Sequence, residues 1–280
     1  MRIPFTKMHG LGNDFIVMDL TSRDIQLSAN QIQKLSHRQF GIGFDQLLQI
    51  RPASSPEVDF DYRIFNANGE EVEHCGNGAR CFARFVYEKG LSDKNPLTVK
   101  TVNRILVLHS DADGEVTVDM GAPVFAPAAI PFNNPTEELL YARKLDIAGN
   151  SRELKFVALS MGNPHAVISV EDLDNTAVKD IGEAVTSHPD FPEGVNVGFM
   201  KILNRNEINL RVYERGAGET LACGTGACAA VVAGCLLEQL DDNVKVNLTG
   251  GQLRVRWQKD TSPVLMSGPA TTVYEGTFEI

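Results

Sequence analysis

Two cysteines open matching short motifs that lie far apart in the chain. Cys75 begins Cys-Gly-Asn-Gly-Ala-Arg-Cys, and Cys223 begins Cys-Gly-Thr-Gly-Ala-Cys. Each cysteine directly precedes a Gly-x-Gly turn and a predicted helix, where unpaired backbone N–H groups and the helix dipole favour a thiolate. The reference pKa of a thiol is about 8.5, so a modest downward shift would make either cysteine a base or nucleophile near neutral pH.

The duplicated motif predicts a particular chemistry. A carboxylate could bind across the two helix N-termini while a carbon atom beside it has one thiol on each face. One thiolate would remove a proton and the opposite thiol would return one to the other face, which inverts a stereocentre. The helix ends would stabilise the charge that develops on the carboxylate. The other three cysteines are predicted to be buried core residues of the two helices, because a lone cysteine is usually a small hydrophobe; they are Cys81, Cys228 and Cys235.

The motifs belong to a longer internal repeat. Subtracting 75 from 223 gives an offset of 148, at which Arg63 matches Arg211 and Glu71 matches Glu219. Near the front of each half, HGLGNDF and SMGNPHAV share a Gly-Asn pair at an offset of 150. Two copies of this length indicate a duplication rather than a solenoid.

The elements around the motifs predict a two-domain α/β (α+β) fold. Strand-like runs cover 14–19, 45–50 and 58–66, Ser28 is a predicted helix N-cap, and Asp113-Gly114 predicts a hairpin. We expect two pseudo-symmetric domains, each a mixed or antiparallel sheet wrapped around a central helix, with the active site in the cleft between them. The predicted domains are 1–122, with the tail 269–280 packing back on it, and 123–268; proline-rich residues 121–138 connect them.

Composition restricts the function classes. The chain has 280 residues, of which 43% are hydrophobic and 22% charged, and a formal net charge of −10. This charge argues against a nucleic-acid partner. The longest apolar run, 229–237, is too short to span a bilayer, and the start shows no signal-peptide pattern. The five cysteines form neither a disulfide framework nor a metal-ligand cluster, so a reducing cytoplasm and no metal are expected.

One dipeptide distinguishes the two halves. Glu214-Arg215 occupies the repeat position of Asn66-Ala67. A carboxylate can hold an amine, and an arginine can hold a carboxylate in bidentate fashion. Two interpretations of the dipeptide are open: it recognises the asymmetric part of a substrate, or it forms an ion pair on the surface.

These features resemble the diaminopimelate epimerase family over essentially the whole chain. The matching stretches are MHGLGNDF, GIGFDQ, YRIFNANG, CGNGARC, MGNPH, VNVGFM, RVYERGAGET and CGTGACA. The resemblance implies interconversion of LL- and meso-diaminopimelate by two cysteines, without cofactor or metal, in lysine biosynthesis and peptidoglycan precursor supply.

The resemblance also implies roles for individual residues. Cys75 would be the proton donor and Cys223 the proton acceptor, with His165 and Glu214 supporting catalysis. The implied substrate-binding residues are Asn13, Gln46, Asn66, Gly76, Asn77, Asn163, Asn196, Glu214, Arg215, Gly224 and Thr225. A homodimer is implied, with Tyr274 at the position linked to dimerisation.

Two alternatives compete with this interpretation. Another two-thiol racemase of the proline racemase type would share the mechanism, but the first motif of those enzymes reads Cys-Gly-His-Gly, whereas it is Cys-Gly-Asn-Gly here. A non-catalytic binding protein could instead use Cys75 and Cys223 as a redox switch. That reading leaves the asparagines and Glu214-Arg215 without a role.

Overall fold

The computed structural model describes residues 1–72, 75–111, 114–147 and 149–279. The chain divides into two compact units, Met1–Asp119 with Ser267–Ile280, and Met120–Met266. The domain boundaries predicted from the sequence lie after residues 122 and 268.

The described part of the first unit contains ten elements before the chain enters the second. They are β1 (Arg2–Gly10), β2 (Asn13–Asp19), α1 (Ala29–Ser36), β3 (Gln46–Pro52), β4 (Phe60–Asn66), β5 (Glu71–Val72), α2 (Gly76–Glu88), β6 (Leu97–Lys100), β7 (Ile105–Ser110) and β8 (Val116–Asp119).

The remaining elements follow in the second unit and the C-terminal tail. They are a 3₁₀ turn (Pro127–Ala129), β9 (Tyr141–Ile147), β10 (Asn150–Ser160), β11 (Pro164–Ser169), α3 (Val178–Thr186), β12 (Asn196–Asn204), β13 (Glu207–Glu214), β14 (Gly218–Thr220), α4 (Gly224–Leu236), β15 (Asn243–Leu248), β16 (Gly251–Arg256), β17 (Leu265–Gly268) and β18 (Thr271–Glu279). Strand β18 pairs antiparallel with β1.

The strand pairing places polar residues at neighbouring strand ends in the first unit. Strand β2 runs parallel to β3, with Phe15 opposite Gln46, and β3 runs antiparallel to β4, with Gln46 opposite Asn66. Asn13 begins β2. Since β2 and β3 both start at the edge where β4 ends, their polar residues meet at that edge.

The second unit repeats this arrangement. Strand β11 runs parallel to β12, with His165 opposite Asn196, and β13 runs antiparallel to β12. The short strands β5 and β14 pair antiparallel with β4 and β13. The duplication predicted from the sequence is therefore present in the topology, and the α+β class is confirmed.

Matching ion pairs support the same conclusion. Arg63 contacts both carboxylate oxygens of Glu71 at 2.7 Å, and Arg211 contacts both oxygens of Glu219 at 2.6 and 3.0 Å. Each pair joins the long strand before the cysteine to the short strand beside it.

One buried helix lies at the centre of each unit. Helix α2 packs on β1, β2, β3, β7 and β8, and α4 packs on β10, β11, β12, β13 and β16. Cys81, Cys228 and Cys235 are fully buried, as predicted. Helix α4 is apolar around its whole circumference because sheet surrounds it.

The start of α1 was predicted correctly from its N-cap, but several other elements were not predicted. Ser28 caps α1 in a capping box with Gln31, and the helix ends at Ser36. Strands β7 and β8 pair antiparallel, and Asp113 of the predicted hairpin signal lies outside the described residues. The strands and helix not predicted are β1, β5, β9, α3, β14, β17 and β18. Within the described ranges, no helix is long and apolar enough to cross a membrane.

Candidate active site

Both cysteines are the N-cap residues of the central helices. Cys75 caps α2 with φ −146° and ψ 110°, and its sulfur accepts a hydrogen bond from the Gly78 backbone N–H at 3.4 Å. Cys223 caps α4 with φ −120° and ψ 112°. These extended backbone angles aim each side chain across its helix end, the arrangement that N-cap residues adopt.

The backbone after each cysteine can bind an anion. Gly76 and Asn77 are the first two residues of α2, and Gly224 and Thr225 are the first two of α4. The N–H groups at these positions have no carbonyl partner within their own helix, and the helix dipole adds a partial positive charge. A carboxylate is the kind of group that such helix ends accommodate.

Polar side chains surround Cys75 in the first unit. Its sulfur lies 3.7 Å from Asn13 Oδ1, which also accepts a hydrogen bond from Asn77 Nδ2 at 3.3 Å. Gln46 Nε2 donates to Asn66 Oδ1 at 2.9 Å. The predicted polar site residues of this unit thus form two hydrogen-bonded groups. One contains Cys75, Asn13 and Asn77, and the other contains Gln46 and Asn66.

Cys223 has a different environment. Its sulfur lies 3.5 Å from Thr225 Oγ1, and its side chain is 4% exposed. Burial raises the pKa of the Cys223 thiol well above its usual value, and the neighbouring Glu214 carboxylate raises it further. Thr220 Oγ1 donates to Glu214 Oε1 at 2.5 Å. The expectation that the helix end favours a thiolate is therefore wrong for Cys223 in this state, because burial and a like charge outweigh the dipole.

His165 is buried and neutral. Burial lowers its pKa from 6.5 to about 3, and the positive charge of Arg215 adds to the effect. Its Nε2 lies 3.0 Å from Asn163 Oδ1, so a proton on Nε2 would be donated to that oxygen. At neutral pH the His165 ring is uncharged, so it can orient Asn163 but cannot act as an imidazolium acid.

Asn196 and Arg215 are held by backbone contacts. Asn196 Nδ2 donates to the Pro164 carbonyl at 3.0 Å, and Asn196 Oδ1 accepts from the Arg215 N–H at 3.0 Å. Arg215 Nη1 donates to the Glu193 carbonyl at 2.8 Å, and the residue is exposed. Asn196 therefore fixes the end of β13, where Glu214 lies, while the Arg215 guanidinium retains N–H groups for a ligand.

Three residues at the first-unit site were not selected from the sequence. Asp45 accepts a hydrogen bond from Asn13, and the fully buried Arg80 donates to Asn77. Tyr62 is buried beneath the α2 N-terminus, where a Cβ added to Gly78 would lie 2.5 Å from its hydroxyl. All three lie in the motifs GIGFDQ, CGNGARC and YRIFNANG, and membership of these motifs was the available signal.

No group of three or more potential metal ligands occurs within the part of the chain that the structure describes. The donors at both helix ends are thiols, amides and a hydroxyl, together with the Glu214 carboxylate. This set suits hydrogen bonding to an amino acid.

Comparison with known proteins decides the family. A family model described as diaminopimelate epimerase matches residues 5–126 and 157–273. The chain belongs to this family. Both cysteine motifs and all the site residues discussed above fall within the matched ranges, and family membership makes the protein an isomerase of the epimerase type.

Solved structures of several related proteins share the fold at low sequence identity. A PhzF-family phenazine biosynthesis protein from Bacillus anthracis is 18% identical with a TM-score of 0.70, covering 100% of both chains. A hydroxyproline epimerase from Agrobacterium vitis is 16% identical with a TM-score of 0.69, covering 99% of this chain and 92% of that one. A probable proline racemase from Agrobacterium radiobacter is 16% identical with a TM-score of 0.70, covering 99% and 93%.

Proposed function

We propose that this protein interconverts LL- and meso-2,6-diaminopimelate by a two-base, two-cysteine mechanism without a cofactor. The observation that supports it most is the repeated placement of a cysteine as the N-cap of a buried central helix, at Cys75 and Cys223. Inversion at carbon needs a base on one face and an acid on the other, and two repeat-related thiols can supply both.

The proton transfers balance in either direction. In one direction the Cys223 thiolate takes the α-proton, and the electron pair left on the α-carbon is delocalised into the substrate carboxylate. The Cys75 thiol gives its proton to the opposite face and becomes a thiolate. The substrate regains one proton and no net charge is created. The helix N-termini would stabilise the carboxylate as charge develops on it.

Substrate binding would generate the Cys223 thiolate. Burial and the Glu214 charge keep the pKa of this thiol high. A substrate ammonium group paired with Glu214 would neutralise that charge and lower the thiol pKa. The base would then form mainly when an amino acid is present.

Two residues of the proposed site can bind amines and carboxylates. Gln46 Oε1 is buried and has no hydrogen-bond partner among the described residues, so an N–H donor such as an ammonium group would satisfy it. Arg215 offers a guanidinium for a carboxylate. Diaminopimelate carries two amino-acid groups, so it presents more ammonium and carboxylate groups than proline does. The other proposed binding residues are Asn13, Asn66, Gly76, Asn77, Asn163, Asn196, Gly224 and Thr225.

The wider setting is also part of the proposal. Such an enzyme would serve lysine biosynthesis and peptidoglycan precursor supply in the cytoplasm, as a homodimer. Strand β18 supports the dimer because it exposes Val273 and Tyr274. A strand with exposed apolar side chains is a natural surface for self-association.

Isotope exchange tests the activity. Incubation with LL-diaminopimelate in deuterated water should give the meso isomer and place deuterium at the α-carbon, as read by NMR. L-Proline and trans-4-hydroxy-L-proline serve as competing substrates. Epimerisation of either of them, with diaminopimelate unchanged, would favour the proline racemase alternative.

Matched cysteine variants test the mechanism. Cys75→Ala and Cys223→Ala should each abolish epimerisation, whereas Cys228→Ala, which alters a fully buried thiol within α4, should leave turnover nearly unchanged. Full activity of either N-cap variant would refute the two-base scheme. Inactivity towards all three amino acids, with reversible formation of a Cys75–Cys223 disulfide, would favour the redox-switch alternative.

A further inference from the structure

A chain of hydrogen bonds fixes the orientation of the amide nearest Cys75. Arg80 Nη2 donates to Asn77 Oδ1 at 2.9 Å, and Asn77 Nδ2 donates to Asn13 Oδ1 at 3.3 Å. Asn13 Nδ2 in turn donates to Asp45 Oδ2 at 2.9 Å. The Cys75 sulfur lies 3.7 Å from the same Asn13 oxygen.

The two ends of this chain determine its polarity. A guanidinium can only donate hydrogen bonds, and a carboxylate can only accept them. Arg80 therefore requires the oxygen of Asn77, and Asp45 requires the nitrogen of Asn13. Both amides are oriented by these contacts, so the group that Asn13 presents to Cys75 is a carbonyl oxygen. That oxygen can bind S–H but cannot donate to a thiolate.

Further hydrogen bonds hold both ends of the chain. Arg80 is fully buried and also donates to the Gly76 and Pro269 carbonyls. Asp45 Oδ2 accepts from the Asp14 N–H at 3.1 Å, and Asp45 Oδ1 accepts from Arg38 Nη2 at 2.7 Å.

The second unit lacks this chain. Asn77 corresponds to Thr225 and Arg80 to Cys228 at the offset of 148, and Asp45 corresponds to Val195 at the offset of 150. The oriented amide is therefore a property of the Cys75 half alone.

We propose that Asp45 and Arg80 are positioning residues that turn the Asn13 carbonyl towards Cys75 and so hold this thiol protonated, as the acid, before substrate is turned over. The role rests on the two-base function proposed above. The oriented carbonyl would explain why Cys75 is the proton donor. Among the described residues, Cys223 has no such carbonyl contact and lies near the Glu214 carboxylate instead.

The charges around Cys75 are otherwise balanced. Asp14 and Asp45 face Lys7 and Arg38 across β1, β2 and the loop before β3. The hydroxyl of Tyr62 on β4 and the thiol of Cys81 on α2 also face Cys75, and burial raises the pKa of both groups, so they stay neutral. Helix α2 also carries Arg80, which belongs to the hydrogen-bond chain, and Arg84 and Glu88, which pair with each other.

Two substitutions of Asp45 separate orientation from charge. Asp45 is exposed, so both variants should fold. Asp45→Ala removes the acceptor and frees the Asn13 amide to offer its N–H to a Cys75 thiolate. Asp45→Asn removes the same charge but keeps an oxygen that can face the two fixed N–H donors of Asn13 and Asp14.

Alkylation of Cys75 by iodoacetamide, followed by peptide mass spectrometry across a pH series without substrate, gives the readout. In Asp45→Ala the alkylation midpoint should move to lower pH by about one unit, equivalent to roughly one gained hydrogen bond to the thiolate. Asp45→Asn should stay near the wild type. Glu71→Ala, which breaks the Arg63–Glu71 ion pair, is the control and should not move it. An unmoved midpoint in Asp45→Ala, or equal shifts in the Ala and Asn variants, would overturn the proposal.

Kinetics provide a second readout. With diaminopimelate, the basic limb of the kcat/KM profile of Asp45→Ala should move to lower pH in the direction that uses Cys75 as acid. In the opposite direction the acidic limb should move to lower pH instead. A general loss of activity with both limbs in place would indicate a merely structural role. Because alkylation needs no substrate, inactivity towards diaminopimelate would refute the proposed function and leave the alkylation result to judge the positioning role.

Discussion

Neutralising Asp14 should weaken the first unit in a pH-dependent manner. Asp14 lies 2.5 Å from Lys7 Nζ and accepts two hydrogen bonds from Arg38, at 2.9 and 3.0 Å. Burial alone would raise the pKa of Asp14, but these hydrogen bonds and charges together lower it from 3.8 to about 2. The difference between the two pKa values corresponds to about 2 kcal/mol of stability at pH 7.

The sign follows from the direction of the shift. A carboxyl group with a depressed folded-state pKa contributes its full stabilisation above the unfolded-state value of 3.8, and loses it as the pH falls through about 2. At pH 3 roughly half should remain, about 1 kcal/mol. Asp14→Asn should therefore destabilise the first unit by about 2 kcal/mol at pH 7 and about 1 kcal/mol at pH 3.

Buried thiols report unfolding of each unit separately. Cys81 in the first unit and Cys228 in the second are both fully buried, so they react only when their surroundings open. Pulse labelling in urea with 4,4′-dithiodipyridine, which reacts with thiols even in acid, followed by mass spectrometry, gives a midpoint for each. Asp14→Asn should lower the Cys81 midpoint, with the larger effect at pH 7.

The control is Glu71→Gln, which removes a half-exposed ion pair with Arg63. Such pairs contribute about 0–1 kcal/mol, so its effect should be small at both pH values. An equal loss of stability in Asp14→Asn at pH 7 and pH 3 would show that the ionised carboxylate is not the source of the stabilisation. No loss at pH 7 would refute the reasoning altogether.

Three further predictions follow from named contacts. Gly78→Ala should destabilise the protein by about 1–3 kcal/mol in urea unfolding, because its methyl group would lie 2.5 Å from the buried Tyr62 hydroxyl; Tyr62→Phe should recover part of this loss, and no recovery would argue against the clash. Glu214→Gln should move alkylation of Cys223 to lower pH, because a negative charge that raises the thiol pKa is removed; an unchanged midpoint would exclude Glu214 as a cause. Tyr274→Ala should convert a dimer to a monomer in light scattering, and a monomeric wild type would contradict the dimer proposal.

The sequence predicted what short-range patterns determine. Cys75 and Cys223 could be placed at helix starts because the Gly-x-Gly turn and the following apolar residues are local signals. The repeat was visible because Arg63–Glu71 and Arg211–Glu219 keep the same spacing. Ser28 was recognisable as an N-cap because a serine directly before a helical pattern is also a local signal.

Features that depend on tertiary burial could not be predicted. The raised pKa of Cys223 depends on how deeply α4 is buried and on the approach of Glu214 from the end of β13. The roles of Asp45 and Arg80 depend on contacts between segments that are distant in sequence. Strand β9 was missed because its charged residues, exposed beside Tyr141 and Leu145, hide the alternation of buried positions.

The pairing of β18 with β1 has a consequence for the order in which the chain can fold during synthesis. The first unit needs strand β18, Thr271–Glu279, and Arg80 needs the Pro269 carbonyl, so this unit is complete only after these residues have left the ribosome. The second unit, Met120–Met266, has all its residues earlier. The half synthesised first is therefore finished last, and while translation continues the nascent chain exposes the open edge of β1 to neighbouring chains.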